Sequence, residues 1–475
     1  MSRSRNAPTS RDAVRCLSLH RSTSACALLL LGGCVLLLSG CGRGPVAFEP
    51  NAVFAAQLEQ EFDQPLAAAE SDVQAILVDL FGTPDAPRLP ATIAEDPSLA
   101  GLIDPERLVR AAGAVSSDRD GAHVGLYREH CSACHGISGD GRGPAALFQN
   151  PYPRDYRAGV FKYKSTPRGA KPTREDLADT IVHGLPGTGM PAFELLVEDE
   201  HRDDLEGLLD YVVYLSIRGE LERRLLLAAA TEFDYASDSG EGSSAELGDR
   251  LIRPADHDSA AAAYAEQAEW IAGEIREIAT EWATADEQVP TIPPQPDAEE
   301  RLTRSTPPKS IALGRELFHG QIANCSSCHG VDGAGGGPLA DYDDWTKEWT
   351  TQLGLDPRDR EKLEPFFDAG ALPPRPLPAR RLTLGGFRGG SSPEEIYLRI
   401  LHGIDGTPMP AINLVEEESA TGLTSTQIWQ LVDYVLSLDD RDDVARDDVA
   451  RDDGARDAVA RGEVAAVVFE SGAKR

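Results

Sequence analysis

The run Cys131-Ser132-Ala133-Cys134-His135 returns further along the chain as Cys325-Ser326-Ser327-Cys328-His329. Two thiols three positions apart, followed at once by a histidine, form the spacing that attaches a c-type haem. Cys131, Cys134, Cys325 and Cys328 are then the thioether-forming residues, and His135 and His329 come up beneath each ring as axial iron ligands. A chain that must hold two such groups has to build two small pockets around them. Each run is followed by a glycine loop closed by proline, Gly139-Asp140-Gly141-Arg142-Gly143-Pro144 and Gly333-Ala334-Gly335-Gly336-Gly337-Pro338, 8 to 13 residues past the first cysteine. Alternating glycines at that place predict a loop held close to a flat object, where side chains would clash.

The repeat continues. Thr173-Arg174-Glu175-Asp176 and Ser392-Pro393-Glu394-Glu395 both read as helix starts, because a cap hydroxyl and an acid three residues later satisfy orphan amides reciprocally. Seventeen residues beyond each cap hydroxyl stands a methionine, Met190 in Gly187-Thr188-Gly189-Met190-Pro191 and Met409 in Gly406-Thr407-Pro408-Met409-Pro410. The chain has 3 methionines, and the remaining one is Met1. Core-filling methionines scatter, whereas these two share one address in a polar, glycine-rich loop, which points to each thioether sulfur as the distal ligand of its iron. The competing reading is that both pack beside a turn. Rival distal ligands are His183 and His402, each seven residues before its methionine, which would give bis-histidine haems. Both stand near the end of the capped helix, a place that suits a hydrogen-bonding or C-terminal residue favoured by the helix dipole.

This order of motifs, completed by an aromatic helix after each methionine, resembles the class I cytochrome c fold, present twice. In particular it resembles the di-haem cytochrome c proteins of planctomycete-type bacteria, through about 127–216 and 311–438. The resemblance implies two covalently bound haem c groups, attached by Cys131, Cys134, Cys325 and Cys328, with proximal His135 and His329 and distal Met190 and Met409. The second copy spends 80 rather than 55 residues between proximal histidine and methionine. Its cap-to-methionine distance is unchanged, so the extra residues are expected to be surface structure between loop and helix.

The expected architecture is mainly α: two class I cytochrome c domains in tandem with helical N-terminal and connector regions. Residues 1–40 read as an export signal, with arginines at 3, 5, 11, 15 and 21 before an apolar run from Ala25 to Leu38. Leu38-Ser39-Gly40-Cys41 resembles a lipobox, which would leave the protein lipid-anchored through Cys41; an uncleaved membrane anchor is the alternative. With the leader gone, one cysteine anchors, four hold haem, and none remains for a disulfide or a nucleophile. Residues 42–120 are expected to form a helical region that packs on the first haem domain, with helices over 54–80, stopped by Gly82-Thr83-Pro84, and over 105–112.

The first haem domain is assigned to 121–218, with Tyr127 packing on Tyr211 or Tyr214. The second covers 309–438, with Phe318 and Tyr434 in those parts and an insert at 340–380. There Trp345 and Trp349 read as haem-edge cover or a docking patch, coverage being the plainer option. Between them, 219–308 is a connector with helices over 220–233 and 259–282, a Ser/Gly/Asp-rich gap at 237–246, and extended linker over 289–296 and 306–309. Trp270 and Trp282 could pack against a haem domain or face a partner, and packing is the preferred expectation. The stretch 151–164, with Arg154, Arg157, Lys162 and Lys164, is expected to wrap the first haem edge, an arginine there meeting a propionate or solvent. Residues 439–475 repeat Arg-Asp-Asp-Val-Ala and form a low-complexity charged tail. The haem domains are small enough that the macrocycle would supply much of each core, so the apo chain should fold poorly.

With both axial positions filled, neither iron would offer a site for peroxide, nitrite or oxygen, and the expected activity is single-electron transfer on the outer face of the cytoplasmic membrane or in the periplasm. The expected partners are redox proteins or a membrane respiratory complex. A formal charge of −32 argues against nucleic acid and suits a partner with a basic face. Two alternatives remain: a di-haem enzyme of the peroxidase or thiosulfate-oxidising type, disfavoured for the latter by the lack of a distal cysteine, and an electron-transfer subunit of a larger membrane complex.

Overall fold

The computed structural model describes residues 46–117, 123–198, 201–235, 249–296, 308–338 and 341–438. The leader, Cys41, the 237–246 gap and the 439–475 tail lie outside them. Among the described residues the chain is mainly α-helical, with three two-stranded antiparallel ribbons. Two regions are distinguishable by their separate apolar cores.

The organising element of the first half is a 30-residue helix, Arg202–Thr231. The sequence predicts a closing helix with a stripe of Leu208, Tyr211, Val212 and Leu215, then a separate connector helix over 220–233. The structure joins them, and the helix runs through the expected boundary at 218. It is buried almost all round over 204–219, with Leu209, Val213, Tyr214 and Ile217 inside as well. The reason is that other helices surround it. Ala52–Phe62 and Ala67–Phe81 pack on it from the N-terminal region, Ala261–Ala283 from the connector, and Arg174–His183 from the first haem domain.

Polar groups on this helix fix the register of those neighbours. The buried Arg218–Glu222 pair, 3.3 Å apart, is satisfied from the N-terminal region, where Asn51 N donates to Glu222 at 2.8 Å and Arg218 donates to Gln74 Oε1 at 3.1 Å. Asp210, fully buried, accepts from Arg174 (2.7 Å) and Asp104 N (3.1 Å) and forms an ion pair with Arg107 (3.2 Å). A buried carboxylate so surrounded would cost several kcal/mol if one partner were removed, about 3–5 by general experience. The expected helix over 54–80 is broken at Asp63, which adopts φ 52°, and resumes at Ala67. Phe54, Leu58, Val73 and Leu77 are buried, while Leu80 is only half-buried against the same core. Gly82 ends the second helix at φ 72°, where a side chain would overlap the Ala86 carbonyl.

The second domain crosses its first and last helices, Pro308–His319 and Ser425–Leu436. Lys309 therefore opens a helix rather than ending a linker. Gly314 permits the crossing, since a Cβ there would overlap the Gln430 carbonyl oxygen. Phe318 packs on Tyr434 at 5.2 Å, and Tyr127 on Tyr211 at 4.8 Å, as the repeat predicts. In the first domain the crossing is shared by two short helices, Pro105–Ala111 and Leu126–His130, both against the long helix. The extended stretch 289–296 lies along the second domain, where Pro293 O accepts from Trp429 Nε1 at 3.0 Å. Trp282 is buried edge-on to Phe161 (5.6 Å) and Trp270 packs on Phe233 (6.2 Å).

The insert forms a small core of its own, Trp349, Leu363 and Phe366, against Val53 and Ala56 of the first helix. Trp349 is therefore committed to that core. Replacing Gly314 with alanine should destabilise the second domain by about 1–3 kcal/mol through overpacking, read as a lowered denaturation midpoint of that domain with the first domain's midpoint unchanged.

Candidate haem-binding sites

Each Cys-x-x-Cys-His run ends in a single helical turn, Ser132–His135 and Ser326–His329, closed by a glycine at positive φ, Gly136 (74°) and Gly330 (79°). The glycine loop folds back on this turn. Gly141 N donates to His135 O (2.9 Å) and Gly143 N to Cys134 O (3.0 Å); Gly335 N and Gly337 N repeat the bonds to His329 O (2.8 Å) and Cys328 O (3.2 Å). A Cβ at Gly143 would overlap the carbonyl oxygens of Ser132 and Ala133, and one at Gly337 those of Ser327 and Cys328. The close approach that the glycines serve is thus to the protein's own backbone at these two positions. Tyr127 OH donates to Gly136 O at 2.9 Å and ties the first turn to the aromatic core.

The proximal histidines share one device. His135 Nδ1 lies 3.0 Å from Arg154 O, and His329 Nδ1 2.9 Å from Arg380 O. A carbonyl only accepts, so Nδ1 carries the proton and Nε2 keeps its lone pair for a metal. Burial pushes His135 down to about 4 and lowers His329 as well, so both rings are neutral at neutral pH. Tyr156 stacks on the His135 ring at 4.8 Å, and its N–H bonds Gly139 O, as Leu382 N–H bonds Gly333 O in the second copy. Sequence reasoning missed the roles of Arg154 and Arg380, because the insert changes their distance from the histidine. A signal was present, since each stands five residues before a helix-ending glycine, Gly159 or Gly385.

The methionine loops match bond for bond. Leu185 N donates to Met190 O, Thr188 N and Oγ1 to Leu185 O, and Met190 N to Thr188 Oγ1. Ile404, Thr407 and Met409 repeat every one. Both preceding helices, Arg174–His183 and Pro393–His402, open with the expected reciprocal caps, Thr173 with Asp176 and Ser392 with Glu395.

Residues 119–212 match the family described as cytochrome c oxidase, cbb3-type, subunit III, and residues 311–383 match cytochrome c. These two regions of the chain are related to the cytochrome c family. They are haem-binding domains by that relationship. The first match takes in Met190; the second ends before Met409. Among solved structures, a chain of the Kuenenia stuttgartiensis reducing HAO-like protein complex Kustc0457/Kustc0458 aligns with 22% identity over 68% of this chain and 99% of its own, at a TM-score of 0.35. A search of the curated proteins returns no match.

The donor set of each cytochrome domain fits a haem. The four cysteines are free thiols, and burial pushes Cys131 up to about 12 and Cys325 up to about 11, holding them protonated until they are capped. Among the described residues no cluster of three or more His, Cys, Asp or Glu side chains is placed to hold a bare ion. Of the rival ligands, His183 is exposed; His402 is half-buried, its Nε2 lacks a hydrogen-bond partner, and it is lowered by desolvation and by Lys164. Of the expected haem-edge cations, Arg157 is paired with Asp155 at 2.7 Å and Lys164 with Asp405 at 2.6 Å. Arg154 instead lies over the Trp345 ring at 3.6 Å. Lys162, beside the same ring, is pushed down to about 7 by burial and by Arg154.

Gly143→Ala and Gly337→Ala should each displace the attachment turn of their own domain. For a chain with haem attached at both runs, the expected outcome is one covalently attached haem instead of two, in the domain that was not altered, counted by intact-mass and peptide-mass measurement.

Proposed function

We propose that this chain is an exported di-haem c-type cytochrome built on two class I cytochrome c domains, and that it passes single electrons between redox partners. The observation that carries the reading is the duplicated pair of devices around each site: a histidine whose Nδ1 is held by a backbone carbonyl, and a methionine loop with the same four hydrogen bonds. Cys131 and Cys134 hold the first haem, Cys325 and Cys328 the second. Nε2 of His135 and of His329 and the sulfurs of Met190 and Met409 are the axial ligands.

When bound, each haem supplies an iron that takes up and releases one electron. The chain's own part is to leave that iron nothing else to do. The neutral imidazole is fixed in one tautomer, the thioether is a weak neutral donor that favours the reduced state, and the apolar surroundings raise the potential further. Two filled axial positions leave no place for a substrate, which supports a carrier over a peroxidase-type enzyme. The likeness to a cbb3-type oxidase subunit supports service as an electron-transfer subunit of a membrane respiratory complex as the more specific form of the same reading. Lipid attachment at Cys41 would keep the domains at the membrane surface, and no helix among the described residues is long and apolar enough to cross a membrane.

A second reading is favoured at one site by the partnerless Nε2 of His402: histidine rather than methionine opposite His329. One experiment decides both. The oxidised protein should show the weak far-red sulfur-to-iron band, and Met190→Ala and Met409→Ala should each remove half of it while both haems stay covalently bound. A band unaffected by Met409→Ala but a spectrum altered by His402→Ala would transfer the second site to histidine. An unaltered band in both methionine variants would end the His/Met assignment.

A further inference from the structure

The two cytochrome domains touch through arginines, and these arginines end on the methionine loops. From the second domain, Arg388 donates to Pro186 O (Nε, 3.3 Å) and Gly187 O (Nη2, 3.1 Å), and Arg380 reaches Pro186 O at 3.4 Å. Pro186 and Gly187 belong to the loop that carries Met190. From the first domain, Arg168 donates to Met409 O itself at 3.2 Å and bridges to Asp344. Next to it Gly169 N donates to Asp405 at 3.0 Å, and Asp405 is also held by the buried Lys164. The Met409 loop is further backed by Trp345, whose ring fills the space a side chain at Gly406 would need and carries Arg154 of the first domain over it. The contact is reciprocal.

A methionine loop made of glycine, proline and threonine has little apolar burial of its own, so it belongs to the parts of a structure that open most readily. Contacts made only in the closed state bias the loop towards closure by their full differential energy. Here those contacts are charge-assisted hydrogen bonds to backbone carbonyls, and they come from the opposite domain. We infer that each distal methionine is held on its iron by a latch from the other cytochrome domain: Arg388 and Arg380 latch the Met190 loop, and Arg168 with the Lys164–Asp405 pair latches the Met409 loop. This deepens the His/Met reading and rests on it. Its consequence is that ligand retention at one haem depends on residues of the domain that holds the other.

The test uses the full two-haem protein, oxidised, with imidazole as the added ligand that competes with the thioether. Each haem is isolated spectrally by removing the other methionine. In the Met409→Ala background the far-red band reports Met190 alone, and there Arg388→Ala should raise the affinity for imidazole by about tenfold or more, the scale of a lost charged hydrogen bond. In the Met190→Ala background Arg388→Ala should leave imidazole affinity at the Met409 haem unchanged, while Arg168→Ala should raise it by a similar factor. Arg388→Lys, which keeps the charge and one donor, should recover part of the effect. Thermal unfolding of each variant confirms that the fold persists. Unchanged affinity at the Met190 haem in Arg388→Ala overturns the latch, as does an effect confined to the domain that bears the substitution. A parent protein with no far-red band would overturn the His/Met reading itself, and that outcome is seen before any arginine is altered.

Discussion

The hydrogen bond from a half-buried imidazole to a backbone carbonyl decides what each half of this molecule can be. Arg154 O and Arg380 O fix the proton on Nδ1 and therefore the lone pair on Nε2. Everything local is arranged so that this carbonyl arrives. The glycine loop turns back on the attachment turn because Gly143 and Gly337 lack a Cβ, and the strand that leaves it is pinned where Tyr156 or Leu382 bonds the loop glycine. The acceptor is a main-chain group, so the side chain of the same residue is free for another task, and both arginines use it at the other domain.

The repeat is symmetric around the attachment turns, the capped helices and the methionine loops, and asymmetric in what surrounds them. The first domain is embedded: its last helix continues into the connector and is enclosed by the N-terminal pair, by Ala261–Ala283 and by the cytochrome's own helices. The second is latched from outside, through the insert, whose small core closes on Val53 and Ala56, and through the arginine contacts.

What could be read from the chain followed from how local the cause was. The caps at Thr173 and Ser392, the glycine stops and the aromatic partners of Tyr127 and Phe318 are set within a few residues or by helix periodicity, and the structure has them where the pattern puts them. The glycine loop was placed correctly, but its approach to the attachment turn's own carbonyls at Gly143 and Gly337 was not legible, because a sequence shows that Cβ is absent and not what fills its space. The union of two expected helices into Arg202–Thr231 was hidden because an all-round buried helix loses the polar face that marks its limits. Arg154 and Arg380 were hidden for another reason. Their acting atom is a carbonyl, which every residue has.

Arg218 stands at the expected end of the first domain, yet it lies in mid-helix, 1% exposed, bonded to Glu222 ahead of it and to Gln74 far behind. A cut there would strand a buried charge on one fragment and its counter-ion on the other. The inherited unit is consequently larger than the duplicated one: a copy of the haem motif can be recognised by itself, but it can be exchanged, transplanted or expressed only together with the flanking helices that grew around it.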